Sequence, residues 1–558
     1  MKKSNWKIKC SGYSLPANTL IEKILKHRSI DNPKDFLNPD LDYLVPHYHL
    51  CNLDHAISLI VDSEHPLIYA DTDTDGCTAA AILYRYLKMH YELTDLPFAH
   101  AEPILYMNEG KDHGIQKYFE CPDSVDTIII VDSINYKLSY YLYWIEKGKK
   151  IVVIDHHKIQ EEVGNFGCPE FALVSSAFHY PNPHLSGAGV VWKVCRYMDY
   201  VFHTNFAEEL ADLAATGIIA DVCSVGPQSM ENRAICNLGF KNLQNPGIKA
   251  LIGKNDFNST AIGFNIAPLI NAANRMNKNH LALRLFTTDN KSQLEEIIDE
   301  LLCIKEMQKA RVEQLMPDAI YQAETQKDKK YTYYFLDDEN DYNLTGLLAT
   351  KICSVYHKPT FVLHKKNGLI QGSMRAEGIE DCSAIINKSG LAEALGHENS
   401  AGFSVKEEDF ADFFMYFENE LQSYTFTQDY EIDAEIYPTQ INTWLIIQLE
   451  KVNRITGADF KPIKFCIDNI SKYEIKEMSK GKHLCVDTYG LKCIAWNFND
   501  WDKIDKTKPF SAIGSLYENN FMGKISNQLF IEDFNFADIK DELINNRTFA
   551  AGRIQWFS

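Results

Sequence analysis

The chain has 558 residues, too many for one hydrophobic core, and its length predicts about three or four domains of about 100–200 residues each. Its 45% hydrophobic and 24% charged residues are typical of a folded protein. The net charge of −20 argues against a broad basic face that grips duplex nucleic acid, but it leaves room for a local positive channel.

The first residues, MKKSNWKIKCSGYSL, are basic but lack the apolar core of a signal peptide. No run of about eighteen apolar residues follows them. We therefore expect a cytoplasmic protein that has no membrane partner. The 14 cysteines are scattered along the chain, which favours buried reduced thiols over a zinc ribbon.

The N-terminal half alternates helix and strand patterns. We expect a small cap over residues 1–50, with a helix pattern followed by proline-punctuated turns. From about residue 55, the apolar strands HPLIYADTD, AEPILYM, DTIIIVDS and KKIVVIDHH are interspersed with amphipathic helices. Strands of this kind are buried on both faces, so the pattern predicts an α/β domain with a doubly wound parallel sheet over residues 51–288.

Acidic and imidazole side chains follow these strands, at the sheet edge where ligands bind in such folds. We also expect the apolar run in GIIADV to be a strand that ends at an acid. The candidate residues are Asp71, Asp73, Asp75, Asp132, Asp155, His156, His157 and Asp221.

Each candidate taken alone has an ordinary structural explanation, because an Asp after a strand most often caps the next helix. Their joint occurrence favours a metal site. Carboxylate and imidazole ligands without thiolate suit Mn²⁺, with Mg²⁺ or zinc as alternatives. Two ions that share a bridging carboxylate would also relieve the repulsion between Asp71, Asp73 and Asp75.

The ordered motifs DTDTDG, VDS, DHH and GIIADV resemble the four motifs of the DHH phosphoesterase superfamily. Further segments resemble, in sequence order, those of the RecJ family of single-strand-specific exonucleases within that superfamily. These segments are LSGAGVVWKV, ENR at 231–233, IAPLINAANRM, GSMR and GHENSAGF. The similarity runs over nearly the whole chain, from FLNPDLDYL to a C-terminal segment that resembles the RecJ OB-fold domain.

The resemblance implies a role for each candidate in metal-dependent hydrolysis of a phosphodiester bond. Two Mn²⁺ or Mg²⁺ ions would be held by Asp73, Asp75, Asp132, His156 and Asp221, with Asp132 as the bridge. Asp71 would be a further ligand or a supporting carboxylate. Asp155 would orient the imidazoles, and His157 would face the scissile phosphate or one ion. Asp132, Asp155 and His157 are thus the catalytic candidates.

A helical pattern of roughly 25 to 30 residues follows, within 289–327. By pattern it is an ordinary core helix, whereas the resemblance implies a connector to a second, smaller α/β domain of DHHA1 type over 328–425. There, GSMR is either an anion cradle or a polar turn. The resemblance implies that Ser373, Arg375 and Arg275 hold a 5′-terminal phosphate and that His397 lines the opposite side of the cleft.

Two departures from the family pattern concern how the enzyme would recognise the 5′ end of the DNA and how the strand would pass through it. YMNEGKDHG stands where RecJ proteins usually have an Arg and then a Gly-Tyr-Gly turn, so Glu109 lies near the expected Arg and Lys111 is its substitute. LGH replaces Gly-Gly-His, and NRITGADFKP replaces a Pro-Phe-Gly loop.

Five strand-like stretches with short turns predict an OB-like β-barrel over 426–537, followed by a tail over 538–558. A local basic run, Lys472, Lys476, Lys480 and Lys482, accompanies Tyr473 and Trp496. These residues are either a groove for single strands or a solvated turn with core aromatics.

We therefore expect a two-metal 5′-to-3′ exonuclease that degrades single-stranded DNA with a free 5′ end to mononucleotides, in DNA repair, recombination or replication. A single-strand-binding protein or helicase would be its partner. One alternative is hydrolysis of short RNA oligonucleotides or cyclic dinucleotides. Another is a non-catalytic nucleic-acid-binding subunit of a replication complex, against which the intact set of ligands argues.

Overall fold

The structure is a computed structural model that describes residues 5–93, 101–108, 113–379, 381–397, 399–424, 429–471, 473–478, 483–496, 509–521 and 524–536. The chain divides into two compact units. Unit 1 comprises Met1–Ser29, Lys309–Val452 and Pro462–Gln555, and unit 2 comprises Ile30–Gln308, Asn453–Lys461 and Trp556–Ser558. None of the helices in the described residues is long and apolar enough to cross a bilayer.

The N-terminal segment is a short strand and three helices. Asn32 caps the second helix by accepting a hydrogen bond from the Asp35 amide, and a proline begins that helix. The elements are β1 (Asn5–Ile8), α1 (Ala17–His27), α2 (Pro33–Leu37) and α3 (Leu53–Val61).

Unit 2 is built on a five-stranded parallel sheet with the strand order β3-β2-β4-β5-β6. Its elements are β2 (Pro66–Ala70), α4 (Thr74–Leu93), β3 (Ile104–Met107), β4 (Thr127–Val131), α5 (Leu138–Glu146), β5 (Lys150–Asp155), α6 (Glu161–Gly164) and β6 (Phe171–Ser175). Every residue of β2 and β4 is buried, as expected for a sheet covered on both faces. The predicted α/β fold is confirmed.

The strand order places a topological switch point between β2 and β4, because the chain runs outward from β2 to β3 and then returns to β4 on the other side. Ligands in open parallel sheets bind outside the carboxyl ends of the strands at such a point. The residues that follow β2 and β4 are those of the predicted DTDTDG and VDS motifs.

Seven further helices complete unit 2, and a π-helical turn over Ile262–Ile266 precedes the sixth of them. They are α7 (Gly187–Phe202), α8 (Ala211–Ala220), α9 (Met230–Lys241), α10 (Pro246–Ile252), α11 (Ser259–Ala261), α12 (Ala267–Arg275) and α13 (Asn279–Thr287). The prediction of a strand before Asp221 is wrong, since the run GIIA ends α8 and Asp221 is its C-cap. A short apolar run is compatible with either a buried strand or a buried helix, and here the helix forms.

Helix α14 spans Lys291–Glu324, which is 34 residues and longer than the predicted 25 to 30. Pro317 lies inside it. Leu294, Ile297 and Leu301 are buried at helical spacing in its first half, as the pattern predicts.

A second, mixed sheet in unit 1 has the strand order β10-β11-β9-β8-β7, in which β7 and β8 are parallel and the other neighbours antiparallel. Asn367 and Gly368, with positive φ of 51° and 76°, form the tight turn between β8 and β9. The elements are β7 (Thr332–Phe335), α15 (Thr345–Tyr356), β8 (Thr360–Lys366), β9 (Leu369–Arg375), α16 (Cys382–Asn387), β10 (Ala392–His397), β11 (Ser400–Lys406) and α17 (Phe410–Glu420).

The C-terminal part is a seven-stranded sheet with the order β13-β14-β18-β19-β17-β16-β15. Its elements follow β12 (Asp429–Ile432) and are β13 (Ala434–Ile436), α18 (Thr443–Asn453), β14 (Lys464–Ile470), β15 (Glu474–Met478), β16 (His483–Thr488), β17 (Leu491–Ala495), β18 (Phe510–Phe521) and β19 (Lys524–Phe536). Strand β1 pairs in parallel with β12, an N-terminal contact that the sequence pattern does not indicate. The predicted tail over 538–558 lies outside the described residues.

Candidate active site

The four sequence motifs meet at the carboxyl edge of the parallel sheet. Three groups of three side chains could each hold an ion. Within each group, the ligand atoms lie within 4.8 Å of one another. The groups are Asp71, Asp73 and Asp132; Asp75, His156 and Asp221; and Asp132, His156 and His157. Asp132 and His156 each belong to two groups, so the three groups form one continuous cluster.

Asp75 is held by the first turn of α7. The Gly187 amide donates a hydrogen bond to its Oδ2 at 2.7 Å, and the Ala188 amide donates to its Oδ1 at 3.1 Å. The first amides of a helix lack partners inside the helix and favour an anion, so α7 stabilises a carboxylate at this buried position. A Cβ at Gly217 would lie 2.2 Å from Asp75 Oδ1, so the close approach of α8 requires glycine there.

Asp132 occupies the turn after β4 with a positive φ of 55°. This conformation is uncommon for a non-glycine residue and is often retained at functional sites. A Cβ at Gly187 would lie 2.4 Å from Asp132 Oδ1, so α7 approaches this carboxylate as closely as it approaches Asp75. The two carboxylates therefore share one helix N-terminus.

His156 stands between the carboxylates. Its Nε2 lies 3.2 Å from Asp132 Oδ1, 3.8 Å from Asp221 Oδ2 and 3.9 Å from Asp75 Oδ2. Asp221 is the C-cap of α8, and the Cys223 thiol lies 3.3 Å from its Oδ2. Val222 follows it with a positive φ of 56°, unusual for a β-branched residue, which indicates a constrained turn at this ligand.

Asp155 uses both carboxylate oxygens to position the residues around it. Oδ2 accepts the Ile134 amide at 2.6 Å, while Oδ1 accepts the amides of His156 and His157 at 2.6 and 2.8 Å. His157 Nδ1 also lies 2.8 Å from Oδ1. Asp155 thus holds the His157 ring through Nδ1, in the manner of a carboxylate behind a ligating histidine, and holds the backbone of His156 through its amide.

The acids of the cluster have perturbed protonation equilibria. Burial and then the charges of Asp71 and Asp75 raise the pKa of Asp73 to about 7. Burial and Asp221 raise the pKa of Asp75 to about 6. Burial, followed by Asp75 and Asp73, holds the pKa of Asp132 well above its ordinary value.

The pKa values of His157 and Asp155 instead shift so that both groups favour their charged forms. Burial disfavours the charged His157 ring, but Asp155 outweighs this effect and raises the pKa of His157 to about 10. Burial likewise opposes ionisation of Asp155, but His157 holds the pKa of this carboxyl below its usual range. Asp155 and His157 therefore form an ion pair, whereas Asp73, Asp75 and Asp132 repel one another.

The cluster fits divalent cations. Asp132 Oδ1 is buried and makes no hydrogen bond to any described residue, although His156 Nε2 is near it. Repulsion among buried carboxylates is what a divalent ion would neutralise. The donor set of oxygen and imidazole nitrogen suits Mn²⁺, Mg²⁺ or zinc, and the shared Asp132 suits a bridge between two ions.

Two predicted phosphate anchors lie together in unit 1. Ser373 and Arg375 share one face of β9, and Ser373 Oγ lies 3.0 Å from Thr345 Oγ1 at the start of α15. A Cβ at Gly346 would lie 2.9 Å from Arg375 Nη2, so the first turn of α15 packs directly on the guanidinium. The hydroxyls, the guanidinium and the helix N-terminus form a polar cradle of the kind that binds anions.

The structure describes only some of the other residues that were predicted to contact the substrate. Arg275 is the last residue of α12, in unit 2. His397 is the last residue of β10, and its side chain lies outside the described part of the structure. Glu109 and Lys111 also lie outside the described residues.

The aromatic and basic candidates of the C-terminal sheet already have partners. The Tyr473 ring packs edge-on against Phe510 at 5.1 Å, and Trp496 packs against His483 at 4.7 Å. Lys476 Nζ lies 3.4 Å from both Glu474 and Asp487. Lys476 lies in strand β15 and not in a turn, and the two aromatic rings are partly buried. Lys472, Lys480 and Lys482 lie outside the described residues.

Sequence reasoning missed four residues of these sites. Gly187 and Gly217 allow the close approach of two helices, Thr345 completes the β9 cradle, and His113 contacts Asp71 with its Nδ1 3.3 Å from Oδ1. The glycine-rich LSGAG segment was the available signal for Gly187. Gly217 opens the GIIADV motif, which was its available signal, whereas Thr345 lies outside the motifs and His113 lies in the departure at DHG.

Comparison with protein families identifies two parts of the chain. The model described as the DHH family, N-terminal domain, matches residues 65–218, and the model described as the RecJ OB domain matches residues 432–533. The chain carries a DHH domain and a RecJ OB domain. The DHH match contains the DTDTDG, VDS and DHH motifs together with α7, whereas Asp221 lies just beyond it.

Two curated relatives have similar sequences over most of the chain. An SPbeta prophage-derived protein of Bacillus subtilis (strain 168), provisionally named single-strand DNA-specific exonuclease YorK, is 25% identical over 93% of this chain and 96% of its own length. The single-stranded-DNA-specific exonuclease RecJ of the same organism is 24% identical over 94% of this chain and 69% of its own length.

A solved structure has the same fold. RecJ from Thermus thermophilus, crystallised in complex with Mn²⁺, matches with a TM-score of 0.75 and 21% identity, covering 96% of this chain and 80% of that one. The DHH and OB domains therefore belong to a RecJ-like fold, and the resemblance drawn from the sequence is confirmed.

Proposed function

We propose that the chain is a metal-dependent exonuclease that hydrolyses single-stranded DNA from a free 5′ end to mononucleotides. The observation that carries this proposal is the sharing of Asp132 and His156 between ligand groups at the switch point of the DHH sheet. Its relatives are named single-strand DNA-specific exonucleases, which supports the choice of substrate.

Two Mn²⁺ ions, or Mg²⁺ in their place, are the proposed cofactors. Their ligands would be Asp71, Asp73, Asp75, Asp132, His156 and Asp221. When bound, two such ions activate the attacking water and stabilise the leaving oxygen of an in-line displacement. The amides of Gly187 and Ala188 keep Asp75 ionised for this purpose.

His157 is proposed to contact the scissile phosphate. Its Nδ1 is occupied by Asp155, and 35% of its side chain is exposed, compared with 14% for His156. Because Asp155 raises the pKa of His157, the ring keeps its proton at neutral pH, and Nε2–H is then a donor for a phosphate oxygen. Asp155 acts through His157 and does not itself reach the substrate.

The cradle of Thr345, Ser373 and Arg375 is proposed to hold a terminal phosphate. Two hydroxyls and a guanidinium supply donors, and the N-terminus of α15 supplies a favourable dipole. Arg275, His397 and Lys111 remain proposed contacts on the basis of the resemblance. This arrangement would favour a substrate with a 5′-phosphorylated end.

The OB domain is proposed to bind single-stranded DNA, as OB-folds do without reading sequence. The net charge of −20 suggests that a partner contributes DNA affinity, and we propose a single-strand-binding protein or helicase for this role. The enzyme would act in the cytoplasm in repair, recombination or replication of DNA.

An end-label assay tests the proposal. With Mn²⁺ present, label at the 5′ end of a linear single strand should appear early as mononucleotide, while label at the 3′ end should stay on shortening fragments. Circular single strands should remain intact, and a 5′-hydroxyl strand should be degraded more slowly than a 5′-phosphorylated one. Asp132→Asn should lower the rate by about 10²–10³-fold or more, because the shared ligand loses its charge.

Asp123→Asn is the matched control, since Asp123 is exposed on the same domain and away from the cluster. Cutting of circles at the rate of linear strands, or full activity of Asp132→Asn, would contradict the proposal. Faster hydrolysis of dinucleotides or cyclic dinucleotides than of long strands would select the first alternative. Binding of DNA and Mn²⁺ without cleavage would select the non-catalytic subunit.

A further inference from the structure

His113 lies beside the DHH site and belongs to none of the motifs that carry the resemblance. The sequence has Asp-His-Gly at 112–114 where a Gly-Tyr-Gly turn is expected, so the resemblance supplies no role for this imidazole. Its ring centroid is 5.0 Å from that of His157, with the planes at 67°. His113 thus adds a third histidine at the edge of the metal cluster.

The backbone that follows His113 is anchored to the sheet. The buried Asn108 side chain accepts a hydrogen bond from the Tyr69 hydroxyl of β2 and donates one to the Gly114 carbonyl at 3.2 Å. The Gly114 amide donates to Ser133 Oγ at 3.0 Å, in the turn after β4. Gly114 has a φ of +80°, which suits glycine. The hydrogen bonds of Gly114 therefore fix the backbone directly after His113.

The two ring nitrogens of His113 have different surroundings. Nδ1 lies 3.3 Å from Asp71 Oδ1. Nε2 is buried and has no hydrogen-bond partner among the residues that the structure describes. A nitrogen that faces a carboxylate carries the ring proton, so Nδ1 is the donor to Asp71.

Asp71 needs such a partner. It shares a ligand group with Asp73 and Asp132, and like charges at this spacing favour rotation of the most exposed carboxylate toward water. The Asp71 side chain is 16% exposed, compared with 2% for Asp132, so Asp71 has more room than Asp132 to turn away. A donor on its outer side opposes that rotation.

We propose that His113 is a positioning residue of the metal centre, which holds the Asp71 carboxylate toward Asp73 and Asp132 through Nδ1. The role resembles that of the groups behind ligating side chains in metal sites, whose loss typically costs about 10–100-fold in metal affinity. The inference rests on the proposed metal-dependent function, but it concerns ion binding and not DNA.

Calorimetric titration of the full-length, metal-stripped protein with Mn²⁺ tests the inference. His113→Ala should weaken one of the two Mn²⁺ sites by about 10–100-fold and leave the other within about threefold. An asparagine amide can take the place of Nδ1, whereas a glutamine amide takes the place of Nε2. His113→Asn should therefore retain the affinity, and His113→Gln should lose it as the alanine variant does.

A double-mutant cycle identifies Asp71 as the intermediary. In the Asp71→Asn background, His113→Ala should cause no further loss of affinity if it acts through that carboxylate. His280→Ala, an exposed histidine of α13, is the control and should bind Mn²⁺ as the original protein does. Amide exchange of each variant shows whether the DHH domain remains folded.

Several outcomes would overturn the inference. These are unchanged affinity at both sites in His113→Ala, retention of affinity by His113→Gln but not by His113→Asn, and equal losses with and without the Asp71 carboxylate. If His113→Ala fails to fold, the asparagine and glutamine variants decide. An original protein that binds two ions but cleaves no DNA would overturn the proposed substrate alone, whereas one that binds no Mn²⁺ would overturn both.

Discussion

Asp132 combines an unusual backbone with an unusual environment. Its φ of 55° costs a non-glycine residue of order 1–3 kcal/mol, and the hydrogen bond from its amide to the Ile154 carbonyl, at 3.0 Å, keeps the turn in place. Its Oδ1 is buried without a hydrogen bond to any described residue. The fold thus maintains one residue in a strained, poorly solvated state that a bound cation would stabilise.

Gly187→Ala should damage the metal site through Asp132. The added Cβ would lie 2.4 Å from Asp132 Oδ1, and the helix cannot move away without losing its amide contacts to Asp75, so the Asp132 carboxylate must shift. We expect Mn²⁺ affinity to fall at least about tenfold and stability to fall by about 1–3 kcal/mol, as in other overpacked sites. Calorimetry with Mn²⁺ and denaturant unfolding measure the two effects.

Gly167→Ala is the matched control, because a Cβ at this glycine meets no atom within 4 Å. It should leave both quantities within experimental error. Unchanged Mn²⁺ affinity in Gly187→Ala would show that Asp132 can move without cost, and the close packing of α7 would then have no role in ion binding.

At the scale of elements, the strands and their ligand residues were largely predictable. Apolar runs followed by acids place Asp71, Asp132 and Asp155 at strand ends because each run and its acid are adjacent in sequence. The run before Asp221 was misassigned, since residues 218–220 are equally apolar whether helical or extended. Asp221 nevertheless lies in the cluster, because it directly follows the apolar run in either case.

The residues that sequence reasoning missed are brought in by packing between distant elements. Gly187 meets Asp132 across 55 positions, and Thr345 meets Ser373 across 28 positions, through a helix that packs on a sheet. No local periodicity marks such pairs. The pairing of β1 with β12 was not predictable for the same reason.

Helix α1 is fixed to the OB domain by one ion pair. The Arg28 Nε and Nη2 atoms donate to the two oxygens of Asp433 at 2.7 and 2.6 Å, and both side chains are mostly buried. Arg28→Ala would leave Asp433 without its bidentate partner, so we expect a local loss of about 2–4 kcal/mol. Amide exchange should become faster in β12 and β14 and stay unchanged in β2 and β4.

Lys7→Ala provides the comparison, since the Lys7–Asp429 pair joins β1 to β12 but is 55% and 39% exposed. An exposed pair of this kind is screened by water and contributes little, so exchange should barely change. Equal effects of the two substitutions, or an effect of Arg28→Ala that reaches β2, would contradict the assignment of α1 to the OB domain.

At the scale of the whole molecule, the site acids link stability to pH. The pKa of Asp73 is raised to about 7 and that of Asp75 to about 6, mainly by burial, from an ordinary value of 3.8. A raised acid pKa means that the folded state binds more protons than the unfolded state. The stability that these protonated carboxyl groups contribute is fully present below about pH 4. It is lost as the pH rises through the folded-state pKa values of Asp75, about 6, and Asp73, about 7.

Mn²⁺ should reverse this loss, because it binds the ionised carboxylates. We expect the rise in melting temperature on replacing a chelator with Mn²⁺ to be small at about pH 5.5 and to grow through about pH 7.5. Scanning calorimetry at both pH values measures it. Asp73→Asn should flatten the growth, and an equal rise at both pH values would show that these carboxylates do not hold the ion.

The two units are interleaved along the chain, since unit 1 contains both Met1–Ser29 and Lys309–Val452. The predicted boundaries at residues 50, 288, 327 and 425 divide the chain into consecutive segments. They therefore do not describe units that are each made of several separate segments. A truncation near residue 426 would remove not only the OB domain but also the partners of β1 and α1.

Strand β1 has a consequence for the order in which the protein can fold during synthesis. Asn5 pairs with Asp429, so the first strand made has no partner until more than 400 further residues have left the ribosome. At roughly 5–20 residues per second, it waits for roughly 20–80 s. The DHH domain can form during that interval, whereas the N-terminal strand must stay unpaired while the intervening domains are made.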